Sequence, residues 1–134
     1  VGGGSFGIEI QFSSKSSEYL YNKWIHSYEE DALDSVNVFR REGFDFPPGR
    51  FRQAYQFFKN GDFYEYSLDS VDRPVTYKGK WIYDSKEKVI EIIFSKLEIV
   101  KDDIPLPQTT LTREGYFFVI YSLEPDKLRL RKVK

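Results

Sequence analysis

The chain predicts an all-β protein: a single antiparallel up-and-down β-barrel of eight to nine strands, with a short helical turn near its N-terminus. Three observations lead there. Apolar and polar residues alternate with a period of two along most of the 134 residues, most legibly in residues 46–94. Aromatic residues make up 18% of the chain, and rings favour the half-buried surface of a strand. Turn residues separate the runs at short intervals, and no run holds a helical period for more than two or three turns. Consecutive hairpins without a long crossover favour a closed meander, which leaves no open sheet edge.

Taken in order, residues 1–17 read as a tail, partly like a cloning remnant, and residues 18–134 as the barrel domain. Phe6, Ile8, Ile10 and Phe12 alternate with polar residues or glycine, as a short strand or a tail laid on the barrel would. Ser16 or Ser17 then caps a helical turn through residues 18–22. Alternation from Tyr21 to Glu29 gives a strand, and Glu29, Glu30, Asp31 and Asp34 form an acidic connection to the next, residues 35–41. Pro47, Pro48 and Gly49 mark a loop.

Asn60-Gly61 between two aromatic runs is the preferred two-residue hairpin turn. That register pairs Phe58 with Phe63, Phe57 with Tyr64 and Tyr55 with Tyr66. Phe51, Gln53, Tyr55, Phe57, Tyr64, Tyr66 and Leu68 then face the core, while Glu65 and Ser67 meet solvent and Phe58 and Phe63 form a surface pair. Residues 76–84 repeat the pattern with Tyr77, Trp81 and Tyr83, and Gly79 in mid-strand predicts a bulge or bend. Ile90, Ile92 and Phe94 point inward, after which the phase slips towards Leu97 and Ile99, predicting a bulge near Ser95. Residues 101–108 form a loop, lid or rim, and the remainder holds three strands with turns at residues 113–115 and 124–127.

Composition excludes several classes. Lys plus Arg number 20 against 21 Asp plus Glu, so no global field draws the chain to nucleic acid or an anionic membrane; the basic end, residues 127–134, is a local feature. Without cysteine there is no disulfide, thiolate chemistry or cysteine-based metal site, and the chain leans towards a reducing, cytoplasmic compartment. No apolar run approaches the ~20 residues of a membrane-spanning helix, and no signal peptide is present in the chain as given.

Trp24 following Asn22-Lys23, the closing run Leu128-Arg129-Leu130-Arg131, the spacing Phe57…Gly61…Phe63 and the triplet Gly79-Lys80-Trp81 resemble the calycin group, the lipocalins and their intracellular relatives. The resemblance implies that Trp24 packs against Arg129 or Arg131, and that the barrel carries a small ligand. Asn22 replaces the glycine usual two residues before that tryptophan. Fatty-acid-binding proteins are similar in length and in a late strand with arginine. Their helix pair has no room in residues 29–35, and their Arg-x-Tyr clamp, mapped onto Arg129 and Arg131, lacks its tyrosine.

Tyr55, Phe57, Tyr64, Tyr66, Tyr77, Trp81 and Tyr83 are the expected cavity lining, and Arg50, Arg52 or Arg131 the receiver of a polar or anionic head. The same rings suffice to fill the barrel, and the sequence leaves both readings open. In the filled case the barrel binds a protein partner through Phe58, Phe63 and residues 104–107. His26, the single histidine, is either a hydrogen-bonded strand residue or a general base or haem ligand beside Glu29, Glu30 and Asp31; no catalytic or metal site and no cofactor is assigned. Arg40, Arg41, Arg50 and Arg52 are expected to pair with that acidic run in a structural rim. The expected function is non-enzymatic binding of a small, partly apolar ligand, with a protein-interaction or structural barrel as the alternative.

Overall fold

The computed structural model describes residues 17–32, 34–101, 104–105 and 113–134. Its strands are β1 (Lys23–His26), β2 (Asn37–Arg41), β3 (Ala54–Phe57), β4 (Asp62–Leu68), β5 (Pro74–Asp84), β6 (Val89–Lys101), β7 (Ile104–Pro105), β8 (Tyr116–Leu123) and β9 (Lys127–Val133). They form an antiparallel sheet in the order β5-β4-β3-β1-β2-β9-β8-β6, and β6 pairs back onto β5 to close an eight-stranded barrel. The short β7 adds to the outer end of β6. The expected tail strand, the lid or rim of residues 101–108 and the first of the three final strands lie wholly or largely outside the described residues.

The all-β barrel is as the sequence predicts, with one exchange in its order. A strict meander sets β2 beside β3; here β1 lies between them and β2 closes against β9. The proline-rich connection between β2 and β3 makes the exchange possible, because it returns the chain past β1 before β3 begins. Residues 17–19 are helical, and Leu20 behind them is fully buried with Trp24. A single 3-10 turn, Tyr28–Glu30, follows β1 at the opposite end of that strand.

The hairpin between β3 and β4 corrects the expected register. Phe57 faces Phe63, Gln56 faces Tyr64, Tyr55 faces Glu65 and Ala54 faces Tyr66. The Phe58 N–H donates to the Asp62 carbonyl at 2.9 Å and the Gly61 N–H to the Phe58 carbonyl at 3.0 Å, while Gly61 takes φ +99°. The loop therefore holds three residues, Lys59-Asn60-Gly61, with glycine in the left-handed position that such loops require. One residue of shift inverts every side chain of β4. Phe63 and Glu65 are buried, and Tyr64 and Tyr66 face outward.

Gly79 marks the predicted irregularity. The β5–β6 register breaks between Lys78 and Lys80, where the longer β6 bulges. A Cβ at Gly79 would lie 2.5 Å from the Ile93 carbonyl oxygen and 2.7 Å from a Phe94 ring carbon. Gly79→Ala is accordingly expected to cost about 1–3 kcal/mol by overpacking, read as a lower urea midpoint with an unchanged slope. The side chains of Leu97 and Ile99 lie outside the described residues.

Rings fill the middle of the barrel. Tyr55, Phe57, Phe63, Tyr116 and Phe118 are buried and contact one another with centroid separations from 4.8 to 6.5 Å. Trp24, Phe39, Ile90, Ile92, Leu128 and Leu130 complete the packing.

Candidate functional site

At the end of the barrel where β1 finishes and β3 begins, an open cleft of about 420 Å³ enters between the strands. His26, Gln53, Glu65 and Tyr77 reach it from β1, the start of β3, β4 and β5, with Ser67 and Leu68 beside them. Tyr28, Arg50 and Phe51 contribute from the loops, and Arg113 from the residues preceding β8.

Glu65 forms the floor of the cleft and is 1% exposed. Arg113 Nη2 donates to its two carboxylate oxygens at 2.7 and 2.6 Å, Tyr116 Oη to Oε1 at 2.5 Å and Ser67 Oγ to Oε2 at 2.7 Å. Gln53 Nε2 donates to Ser67 Oγ at 2.9 Å, extending the network to β3. Burial opposes the charge on Glu65, yet the hydrogen bonds from Arg113, Tyr116 and Ser67 outweigh it and hold the carboxyl below its usual range. Burial, and then the nearby Glu65 charge, push the Tyr116 and Tyr55 hydroxyls above the ordinary phenol range. The Arg113 guanidinium also lies 4.0 Å from the Tyr77 ring centre. Its charge is thus neutralised by Glu65 and covered on one face.

The acidic run is consumed by pairing. Arg52 forms a two-pronged bond to Glu29 at 2.7 and 2.5 Å, and Arg40 one to Glu30 at 2.8 and 2.7 Å. The guanidinium bonds lower both carboxyls to about 2. Asp31 accepts from Asn37 Nδ2 at 3.1 Å and from the Val38 N–H at 2.8 Å, and lies 2.7 Å from His26 Nε2. Two arginines therefore form the structural rim that the sequence suggests, with Arg40 and Arg52 as its members.

Arg50 behaves differently. Its guanidinium lies 4.5 Å from the Tyr28 ring centre, and among the described residues it meets no carboxylate. Glu65 pairs with Arg113 and Glu29 with Arg52, so Arg50 is the cleft guanidinium that has no carboxylate partner among the described residues. Of the three arginines expected to receive a ligand head, the structure brings only Arg50 there. Arg131 is exposed on β9, opposite Val119.

The expected ring lining is divided. Tyr55 and Phe57 are packed in the interior, and Trp81 and Tyr83 are half-buried against it. Trp81 Nε1 donates to the Phe58 carbonyl at 2.8 Å. Tyr64 packs on Phe58, and Tyr66 donates its hydroxyl to Gln56 at 2.6 Å, both on the outer face. Tyr77 is the one of the seven that lines the cleft. Trp24 donates Nε1–H to the Leu20 carbonyl at 3.3 Å, and Arg129 lies 3.8 Å from Asp34. Phe63, expected on a partner-binding surface, is in the core, while residues 106–107 of that surface lie outside the described residues.

Sequence reasoning missed Glu65, Ser67 and Arg113. The first two were placed outside by the hairpin register, and an exposed Phe58–Phe63 pair was the available signal that this register was wrong. Arg113 is 48 residues from its partner, and no local pattern connects them.

Compared with protein-family models, curated proteins and solved structures, the chain matches none. Among the described residues no three His, Cys, Asp or Glu side chains form a group that could hold a metal ion, and no helix is long and apolar enough to cross a membrane.

Proposed function

We propose that this barrel is a non-enzymatic binding domain for a small, partly apolar anion, held at the mouth rather than in the interior. The observation that carries the reading is Arg50: a guanidinium that meets no carboxylate among the described residues, beside a cleft whose other walls include Phe51, Leu68 and Tyr77. A volume of about 420 Å³ falls within the range of small-molecule sites. A lipocalin-like carrier takes its ligand inside the barrel; here the interior rings pack on one another, which favours the mouth. The closed eight-strand barrel is compatible with that group and supports the proposal at the level of architecture.

Benzoate is the simplest probe of this chemistry, with benzyl alcohol as its neutral counterpart. Ligand-observed NMR is expected to show benzoate binding and benzyl alcohol binding far more weakly. Arg50→Gln is expected to weaken benzoate about tenfold or more, the worth of a charge-assisted hydrogen bond. Equal binding of acid and alcohol, or an unchanged affinity in the variant, would overturn the reading.

A filled-core barrel that binds a protein through its outside is the second reading. One observation favours it: Ile82 and Phe117, both exposed, stand on either side of Glu91 in adjacent strands. It becomes the preferred reading if no anion binds.

A further inference from the structure

His26 lines the same cleft as Arg50, and its proton is placed by its surroundings. Its Nε2 lies 2.7 Å from Asp31 Oδ2. Asp31 already accepts from Asn37 Nδ2 and from the Val38 N–H, so the carboxylate is anchored before the imidazole reaches it. An ionised carboxylate only accepts hydrogen bonds, and a neutral imidazole carries one N–H. In the neutral ring the short contact therefore places the one proton on Nε2 and leaves the lone pair on Nδ1. Phe39 stacks on the ring at 5.1 Å between centres, and Tyr28 meets it edge-on at 6.0 Å, holding its plane. Among the described residues no side chain or backbone group donates to Nδ1, so the neutral ring of His26, a residue lining the cleft, has a free hydrogen-bond acceptor. Tyr28 also carries Arg50 on its ring, 4.5 Å from the centre, so acceptor and cation share one support.

We propose that the ligand of this cleft is a hydroxylated anion. Its acidic head rests on Arg50, and its hydroxyl donates to His26 Nδ1. Its carbon frame lies against Phe51, Leu68 and Tyr77. This deepens the anion-binding reading and rests on it. The hydroxyl is selected because a bare anion leaves the Nδ1 lone pair with water alone, whereas a hydroxyl satisfies it in a geometry already set by Asp31.

The test compares benzoate, 3- and 4-hydroxybenzoate and their methoxy counterparts by titration calorimetry. At least one hydroxy acid is expected to bind about three- to tenfold more tightly than benzoate, and its methoxy counterpart to lose that gain. His26→Gln is expected to abolish the preference, so that each hydroxy acid and its methoxy counterpart bind alike. The tautomer has its own readout, since side-chain ¹⁵N shifts of the unliganded protein should show a protonated Nε2 and a bare Nδ1. In Asp31→Asn that pattern should be lost, which keeps the inference testable if His26→Gln fails to fold. If benzoate binds and no hydroxy acid binds more tightly, the hydroxyl inference is overturned and the anion site stands. If none of the acids binds, both are overturned. A proton found on Nδ1 also overturns the hydroxyl inference.

Discussion

Phe63→Ala is expected to lower the unfolding free energy by about 3–5 kcal/mol, the cost of truncating a fully buried ring. Phe63 is 0% exposed, with ring contacts to Tyr55, Phe57, Phe94, Tyr116 and Phe118. Its neighbour Tyr64 faces outward, packed on Phe58 with the Lys78 amine 5.1 Å from its ring centre. Tyr64→Ala is therefore expected to cost about 1 kcal/mol or less. The contrast tests the hairpin register directly, because the two-residue turn would reverse the order of the two effects. Urea unfolding followed by near-ultraviolet circular dichroism separates them. Against a typical total of about 5–15 kcal/mol, Phe63→Ala leaves a domain close to unfolding. Equal costs at the two positions would contradict the register, and with it the burial of Glu65.

Arg113→Met is the second large effect, at about 3 kcal/mol near neutral pH, because it strands a buried carboxylate. Its sign with pH is the sharper test. In the native protein Glu65 sits below its usual range, so its ionisation contributes stability above the unfolded value, and that contribution is lost as pH falls through the folded value. Without Arg113 burial is opposed only by the Tyr116 and Ser67 hydrogen bonds, so the carboxyl is expected to rise relative to the native protein. A raised carboxyl contributes fully below the unfolded value and loses that contribution as pH increases. The deficit of Arg113→Met relative to the native protein is thus expected to be greater near neutral pH than at about pH 4. Adding Glu65→Gln should remove this dependence, since no ionisable group then occupies the floor. A deficit of equal size at both pH values would show that Arg113 acts by packing alone, through its contacts with Tyr77 and Phe94.

Two of the expected site residues, Tyr77 and Arg50, line the cleft. Tyr77 and Arg50 were named from residue type and alternation, and the pairing of the acidic run with nearby arginines follows from opposite charges close in sequence. His26 was singled out as the only histidine, but its tautomer depends on Asp31 reaching Nε2, which needs the 3-10 turn at Tyr28–Glu30 to fold the chain back. Arg52 was as good a candidate as Arg50 on chemistry. Glu29, together with the His26 and Pro47 carbonyls, removes it by occupying its guanidinium.

The sequence by itself determined that the chain alternates, where it turns and where β5 and β6 must bend, since alternation and glycine act within a few residues. Which side of a strand is the inside was decided only by the tertiary structure. Side chains on a strand repeat every two residues, so the difference between a two- and a three-residue loop at Asn60-Gly61 exchanges the faces of β4. Tyrosine keeps a hydroxyl for water on the outer face whereas a phenyl ring gains most from burial, and the barrel settles the choice by enclosing Phe63. Glu65 follows Phe63 inward because it lies two residues further along the same strand. Its charge is sustained there by Arg113, a partner that nothing but barrel closure brings within reach.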